Sequence, residues 1–195
     1  MDLENQYFHV RVHPNHQKYL GCKIIDENGA EQYFVFCVMV YGIKVATAVV
    51  TRLIKPIVSY LHQEGVKFSI YIDDGRTAAS TFELTLKHHE LAIDVFQKAG
   101  WNIQFAKTSK VPTQHLYYQG FVNDTKNMIY YVPHFKKENL QKGISTVLQK
   151  YSFKESISVR DLAKLTGKLV ACNRAFGPVI KILLRSIHQA IDEQV

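Results

Sequence analysis

The stretch Val66-Lys67-Phe68-Ser69-Ile70-Tyr71-Ile72-Asp73-Asp74-Gly75 decides the fold. Val66, Phe68, Ile70 and Ile72 alternate with Lys67, Ser69 and Tyr71, the period of a strand with one buried face. Asp73-Asp74 stops the run, and Gly75 is expected to permit the tight turn of a hairpin. Two like charges at the end of a buried strand repel each other, and taking them out of water is costly. A cation would neutralise them, and oxygen-only ligands at a partly dry place suit Mg²⁺. The competing reading is a solvated Asp-Asp turn capping the next element. A bare Asp-Asp pair favours that reading; the strand in front and a third carboxylate, Asp2, shift the weight.

A chain of 195 residues suits one domain, or a domain with a smaller appendage. Hydrophobic residues make up 47%, enough for a core. The net charge of +7 favours a polyanionic partner. Cys22, Cys37 and Cys172 are scattered, odd in number and without zinc spacing, which points to reduced thiols in an intracellular protein, cytoplasmic or nuclear. No signal peptide and no apolar run of membrane-spanning length occurs, so no membrane partner is expected.

In chain order, Asp2 to Val12 reads as a strand, and His13-Pro14-Asn15-His16 as a turn. Tyr19 to Ile25 and Gln32 to Met39 read as a hairpin around Asn28-Gly29. A helix is expected from about Val45 to Gln63, with Leu53, Ile57, Tyr60 and Leu61 as its stripe and Pro56 kinking it or costing it a hydrogen bond. Ser80 or Thr81 caps a second helix to Lys98, with Leu84, Leu91, Ala92, Val95 and Phe96 inward, His88-His89 on the wet face and Gly100 at its end. Trp101 to Phe105 alternates as a strand, and Leu116 to Phe121 and Tyr130 to Val132 form a further strand pair. From Phe135 the pattern is helical. It holds a lysine-flanked stripe (Leu140, Ile144, Val147, Leu148), a helix capped by Ser158 and, after Gly177-Pro178, a last helix with Ile182, Leu183, Ile187 and Ile191. The lysine-bearing faces read equally as solvated surface or as duplex contacts.

The pattern Asp2-x-x-x-x-Tyr7-Phe8 followed by Tyr71-Ile72-Asp73-Asp74 resembles the first and third palm motifs of reverse transcriptases. The wording Asp2-Leu3, Tyr7-Phe8-His9-Val10, His13-Pro14 and Lys18-Tyr19-Leu20 is most similar to retroelement enzymes of the DIRS, tyrosine-recombinase type. The likeness runs through nearly the whole chain, with its motifs in family order. It implies an α+β fold: a polymerase palm over residues 1–134, an antiparallel ferredoxin-like sheet with helices on one face, then a small helical thumb over residues 135–195. In the family a fingers region precedes Asp2 and an RNase H-like segment follows. Neither is seen here, so the chain is expected to be truncated.

Carried over residue by residue, the resemblance makes Asp2 and Asp73 the core ligands of two Mg²⁺ ions, with Asp74 assisting and Mn²⁺ as a substitute. Lys107 matches the family lysine near the departing pyrophosphate. Tyr7 takes the position beneath the incoming sugar, where its ring favours deoxynucleotides; without the motif it reads as aromatic core. The backbone of Leu3, Glu4, Asn5 and Gln6 lies where the triphosphate is contacted, with Gln6 replacing the usual alanine. The family's Pro-Phe-Gly-Leu-Ser-Ser-Ala-Pro reads Val40-Tyr41-Gly42-Ile43-Lys44-Val45-Ala46-Thr47, so only Gly42 and Ala46 match. Gln119-Gly120-Phe121 resembles the Leu-Gly-Phe primer grip, with Gln119 in place of leucine. Arg76 after the hairpin reads as a partner of Asp74, a phosphate contact or a solvated side chain. The expected activity is RNA-directed DNA synthesis on a primed RNA or DNA template from deoxynucleoside triphosphates. The rivals are an inactive scaffold that binds nucleic acid or a protein partner, and a subunit completed by another chain. A palm surface left open by missing fingers would favour self-association.

Overall fold

The computed structural model describes residues 1–193, in two compact units, Met1–Pro112 and Thr113–Val195. In chain order the first unit holds a 3₁₀ turn (Gln6–His9), α1 (Pro14–Gln17), β1 (Gly21–Ile25), β2 (Glu31–Val35), α2 (Ala46–Gln63), β3 (Lys67–Tyr71), β4 (Asp74–Ala78) and α3 (Phe82–Lys98). β3 and β4 pair antiparallel, and Tyr71 opposite Asp74 is their last pair. The turn is therefore Ile72-Asp73, and Ile72 takes the left-handed backbone at φ 61°. Gly75, expected in the turn, lies inside β4 instead. Its role is close approach: a Cβ there would meet the Phe68 ring tip at 2.9 Å and Met1 Cε at 3.2 Å.

Met1 to Glu4 runs extended between β4 and the segment Trp101–Gln104. Gly75 donates its N–H to Met1 O, Leu3 to Asp73 O, Glu4 to Asn102 O and Gln104 to Asp2 O, at 2.8–2.9 Å. The strands expected over Asp2–Val12 and Trp101–Phe105 reduce to single bridges, Asp2 with Asp74, Leu3 with Ile103 and Arg11 with Val38. Consecutive Gln6 and Tyr7 are both buried, which strand alternation forbids. Asn5 at φ 49° turns the chain into the 3₁₀ turn that allows it.

α2 and α3 close one core over this layer, with Leu3, Val50, Ile54, Leu61, Phe68, Ala92, Phe96, Trp101 and Ile103 as members. The α2 stripe is rotated from the expected one: Leu53 and Tyr60 are exposed, while Val50, Ile54 and Leu61 face inward. Pro56 sits inside a continuous α2, on its exposed side. Thr81 caps α3 by accepting from Leu84 N–H at 3.2 Å. His88 and His89, expected on the wet face, are half-buried, and burial pushes His89 below the ordinary histidine range. Asp26 Oδ1 accepts from Asn28 and Ala30 N–H at 2.9 Å and closes the β1–β2 hairpin.

The second unit holds β5 (His115–Tyr118), β6 (Phe121–Asp124) and β7 (Ile129–Tyr131), an antiparallel sheet in that order. Helices α4 (His134–Ser152), α5 (Val159–Ala171), α6 (Asn173–Phe176), α7 (Val179–Leu183) and α8 (Arg185–Asp192) follow. Leu140, Leu169, Cys172, Ile180 and Leu184 form their core. Gly143 lets α4 approach α5 closely, since a Cβ would lie 3.1 Å from Leu165 Cδ1. The single last helix expected is two pieces that meet at Leu184. The turn of the chain points Ile180 and Leu184 inward and leaves Ile182 and Leu183 exposed. The architecture is thus α+β, small antiparallel sheets with helices. No helix among the described residues is long and apolar enough to cross a membrane.

Candidate active site

The backbone bridges bring the two halves of the acidic motif together. Asp2 pairs with Asp74, and Leu3 N–H donates to Asp73 O at 2.9 Å. The Asp2 carboxyl is raised above the ordinary aspartate range. Burial is the main cause; the nearby Lys107 ammonium pulls it back down and the Asp73 carboxylate pushes it up. Asp2, Asp73 and Lys107 therefore share one electrostatic neighbourhood. Thr108 fixes it: its hydroxyl accepts from Asp2 N–H at 3.1 Å and donates to Gln104 O at 3.0 Å. Thr108 is buried, and its role was readable only as the residue after Lys107.

Among the described residues no three His, Cys, Asp or Glu side chains stand close enough to hold a metal ion as one group. The expected three-carboxylate clamp is therefore not gathered, although its members lie on adjoining backbone. The donor chemistry still fits Mg²⁺, which is bound through one or two carboxylates and completed by water and substrate phosphates. Asp2 and Asp73, which sense one another's charge, are the two carboxylates that would supply such a pair.

Of the residues expected to face the nucleotide, Leu3 is buried in the core and Glu4 is half-buried. The Leu3 and Glu4 amides are already bonded to Asp73 O and Asn102 O. Asn5 is exposed and left-handed, and Gln6 is buried. Tyr7 is 8% exposed; its hydroxyl lies 2.9 Å from Thr47 Oγ1, in the first turn of α2. Its ring meets that of Tyr41 edge to face at 5.0 Å, and Tyr41 also touches Phe8 at 5.8 Å. Gly42 lies at φ 89°, and a Cβ on it would meet nothing within 4 Å. Tyr41 and Thr47 were missed as partners of Tyr7 because both lie where the second motif departs from the family.

In the second unit Gln119 and Gly120 form the two-residue turn between β5 and β6, at φ 50° and 82°, with Tyr118 and Phe121 buried on either side. Positive φ at both central residues is the signature of a type I′ hairpin.

Residues 1–123 match the family described as Reverse transcriptase (RNA-dependent DNA polymerase). The chain belongs to the reverse transcriptase family. The match runs through the whole first unit and into β6 of the second. Among solved structures, the chain resembles the foamy viral protease-reverse transcriptase in complex with RNA/DNA hybrid, at 17% identity and TM-score 0.73. That likeness covers 98% of this chain and 23% of the other. The foamy viral protease-reverse transcriptase dRH in complex with ds DNA matches at 17% identity and TM-score 0.72, covering 98% and 30%. The chain thus spans less than a third of either neighbour, and the shared property is the reverse-transcriptase fold. No curated protein sequence matches it.

Proposed function

We propose that the chain is an RNA-directed DNA polymerase core, adding deoxynucleotides to a primer 3′-hydroxyl on an RNA or DNA template. Family membership supports the reading, and the observation that carries it is the Asp2–Asp73 pair, fixed by the Leu3–Asp73 bond with Lys107 beside it. Two bound Mg²⁺ ions would supply a lowered pKa at the primer hydroxyl and neutralise charge on the departing pyrophosphate. Asp2 and Asp73 would hold them, with Asp74 assisting. Lys107 would offer positive charge or a proton to the pyrophosphate oxygen. Tyr7, held by Thr47, would exclude a ribose 2′-hydroxyl, with Gly42 beside it and Leu3 to Gln6 lining the triphosphate side. Gln119, Gly120 and Phe121 would carry the primer strand. In domain terms the palm spans residues 1–134 and the thumb 135–195, and a retroelement of the DIRS, tyrosine-recombinase type is the proposed origin.

A second reading is a scaffold that binds nucleic acid or a protein partner without synthesis. The lack of a three-carboxylate group among the described residues and the departures at Val40, Lys44, Val45, Thr47, Arg76 and Gln119 favour it. Primer extension with Mg²⁺ and four deoxynucleotides decides between them. Synthesis by the wild type that Asp73→Asn abolishes supports the polymerase. Binding of primed duplex with no synthesis, unchanged by Asp73→Asn, supports the scaffold.

A further inference from the structure

Two cations from two different helices hold the Gln119-Gly120 turn. Lys136, in the first turn of α4, donates from Nζ to Gly120 O at 3.0 Å. Arg174, in α6, donates from its guanidinium to Gln119 Oε1 at 2.8 Å. One bond grips the backbone of the second turn residue and the other grips the side chain of the first. Glutamine at φ 50° is an uncommon choice, since a side chain disfavours left-handed backbone. Gly120 does more than supply positive φ: a Cβ on it would lie 2.5 Å from Lys136 Nζ. The lysine tip occupies the space a side chain would fill, and Lys136 is half-buried while its neighbour Lys137 is exposed. An ammonium engaged with its own chain's carbonyl is not a mobile phosphate contact on a solvated helix face.

We propose that Lys136 and Arg174 are positioning residues that set the angle and rigidity of the Gln119–Phe121 turn for the primer strand, without themselves contacting phosphate. This rests on the polymerase reading above, in which that turn meets the primer. It also reinterprets Gln119: the departure from leucine gains a hydrogen-bond acceptor that Arg174 uses.

The test compares wild type with Lys136→Met, Arg174→Met and the double variant, with Lys136→Arg as the conservative rescue. Amide exchange at Phe121, which closes the hairpin opposite Tyr118, reads the clamp. Binding of a primed RNA–DNA duplex across a salt series reads its use. Exchange at the turn is expected to quicken by about five- to tenfold per bond removed, with the thermal midpoint little changed. Duplex affinity is expected to fall several-fold in the double variant and to recover in part with Lys136→Arg. The slope of log affinity against log salt is expected to stay at the wild-type value. A slope shallower by about 0.9 in Lys136→Met makes that lysine a phosphate contact and overturns the proposal. Unaltered turn exchange, or faster exchange with full affinity, overturns it as well. A wild-type chain that binds no primed duplex fails the polymerase reading itself, a result separable from the exchange measurement. Should the double variant not fold, the single Arg174→Met variant carries the same comparison.

Discussion

Asp2 holds its proton more tightly in the folded chain than an ordinary aspartate does, because burial and Asp73 outweigh Lys107. A carboxyl whose pKa rises on folding favours the folded state below the ordinary aspartate range, and that contribution is lost as pH rises through the raised value. Asp2→Asn is therefore expected to raise the thermal midpoint at neutral pH while removing a residue proposed to be catalytic. Asp73→Asn should lower the Asp2 pKa and Lys107→Met should raise it, as followed by carboxyl carbon chemical shifts across a pH series. An Asp2 that titrates alike in all three would mean that these groups are not neighbours. Tyr7 tests a second contact. Its hydroxyl and that of Thr47 satisfy each other at 2.9 Å. A double-mutant cycle of Tyr7→Phe and Thr47→Val, read by urea unfolding, should give a coupling of about 0.5–1.5 kcal/mol. A coupling of zero would leave the Tyr7 ring unheld.

The β3–β4 hairpin shows how an element was half legible. Its strand period and its acidic end were plain in Phe68 to Asp74. The turn was not, because glycine is the usual sign of a left-handed residue and here Ile72 takes that backbone. The glycine is needed further on, inside β4, where the strand passes the Phe68 ring. Gly75→Ala should therefore destabilise by about 1–3 kcal/mol in denaturant unfolding, the cost of overpacking a filled site. A change below a few tenths would show that Phe68 and Met1 yield freely. The caps followed their local rules: Thr81 accepts from Leu84 N–H and Ser158 from Asp161 N–H. The stripe of α2 did not, because Leu53 and Tyr60 are as apolar as the residues that are buried. Only the position of the sheet chooses between neighbouring faces of one helix.

At the scale of the whole molecule, two cores have formed on one chain. Phe96, Leu61 and Trp101 belong to one, Leu140, Leu169 and Leu184 to the other. Trp101 is the single tryptophan, so its fluorescence reports on the first unit alone, whereas far-ultraviolet circular dichroism also counts α4 and α5. Leu140→Ala should cost the second core about 2–5 kcal/mol. The dichroism curve in urea is expected to move to lower denaturant while the fluorescence midpoint stays in place. Joint movement of both curves would mean that the two units unfold as one.

The sequence by itself determined the helix caps and the Asn28-Gly29 hairpin, because each depends on neighbours within a few residues, and it showed the α+β class and the acidic motif through the order of motifs along the chain. Tertiary structure decided the rest. It made Asp2 and Asp73 neighbours through a backbone bond between residues far apart in the chain. It reduced two expected strands to single bridges, the one over Asp2–Val12 because Gln6 and Tyr7 are both buried. It gave Tyr7 its partner Thr47, and gave the Gln119-Gly120 turn its two cations. Those contacts join segments from 16 residues apart, as with Lys136–Gly120, through 40 and 55 for Tyr7–Thr47 and Arg174–Gln119, to the longer reach of Leu3–Asp73. Local pattern carries no information at that range; only the packing of one element on another brings such residues together.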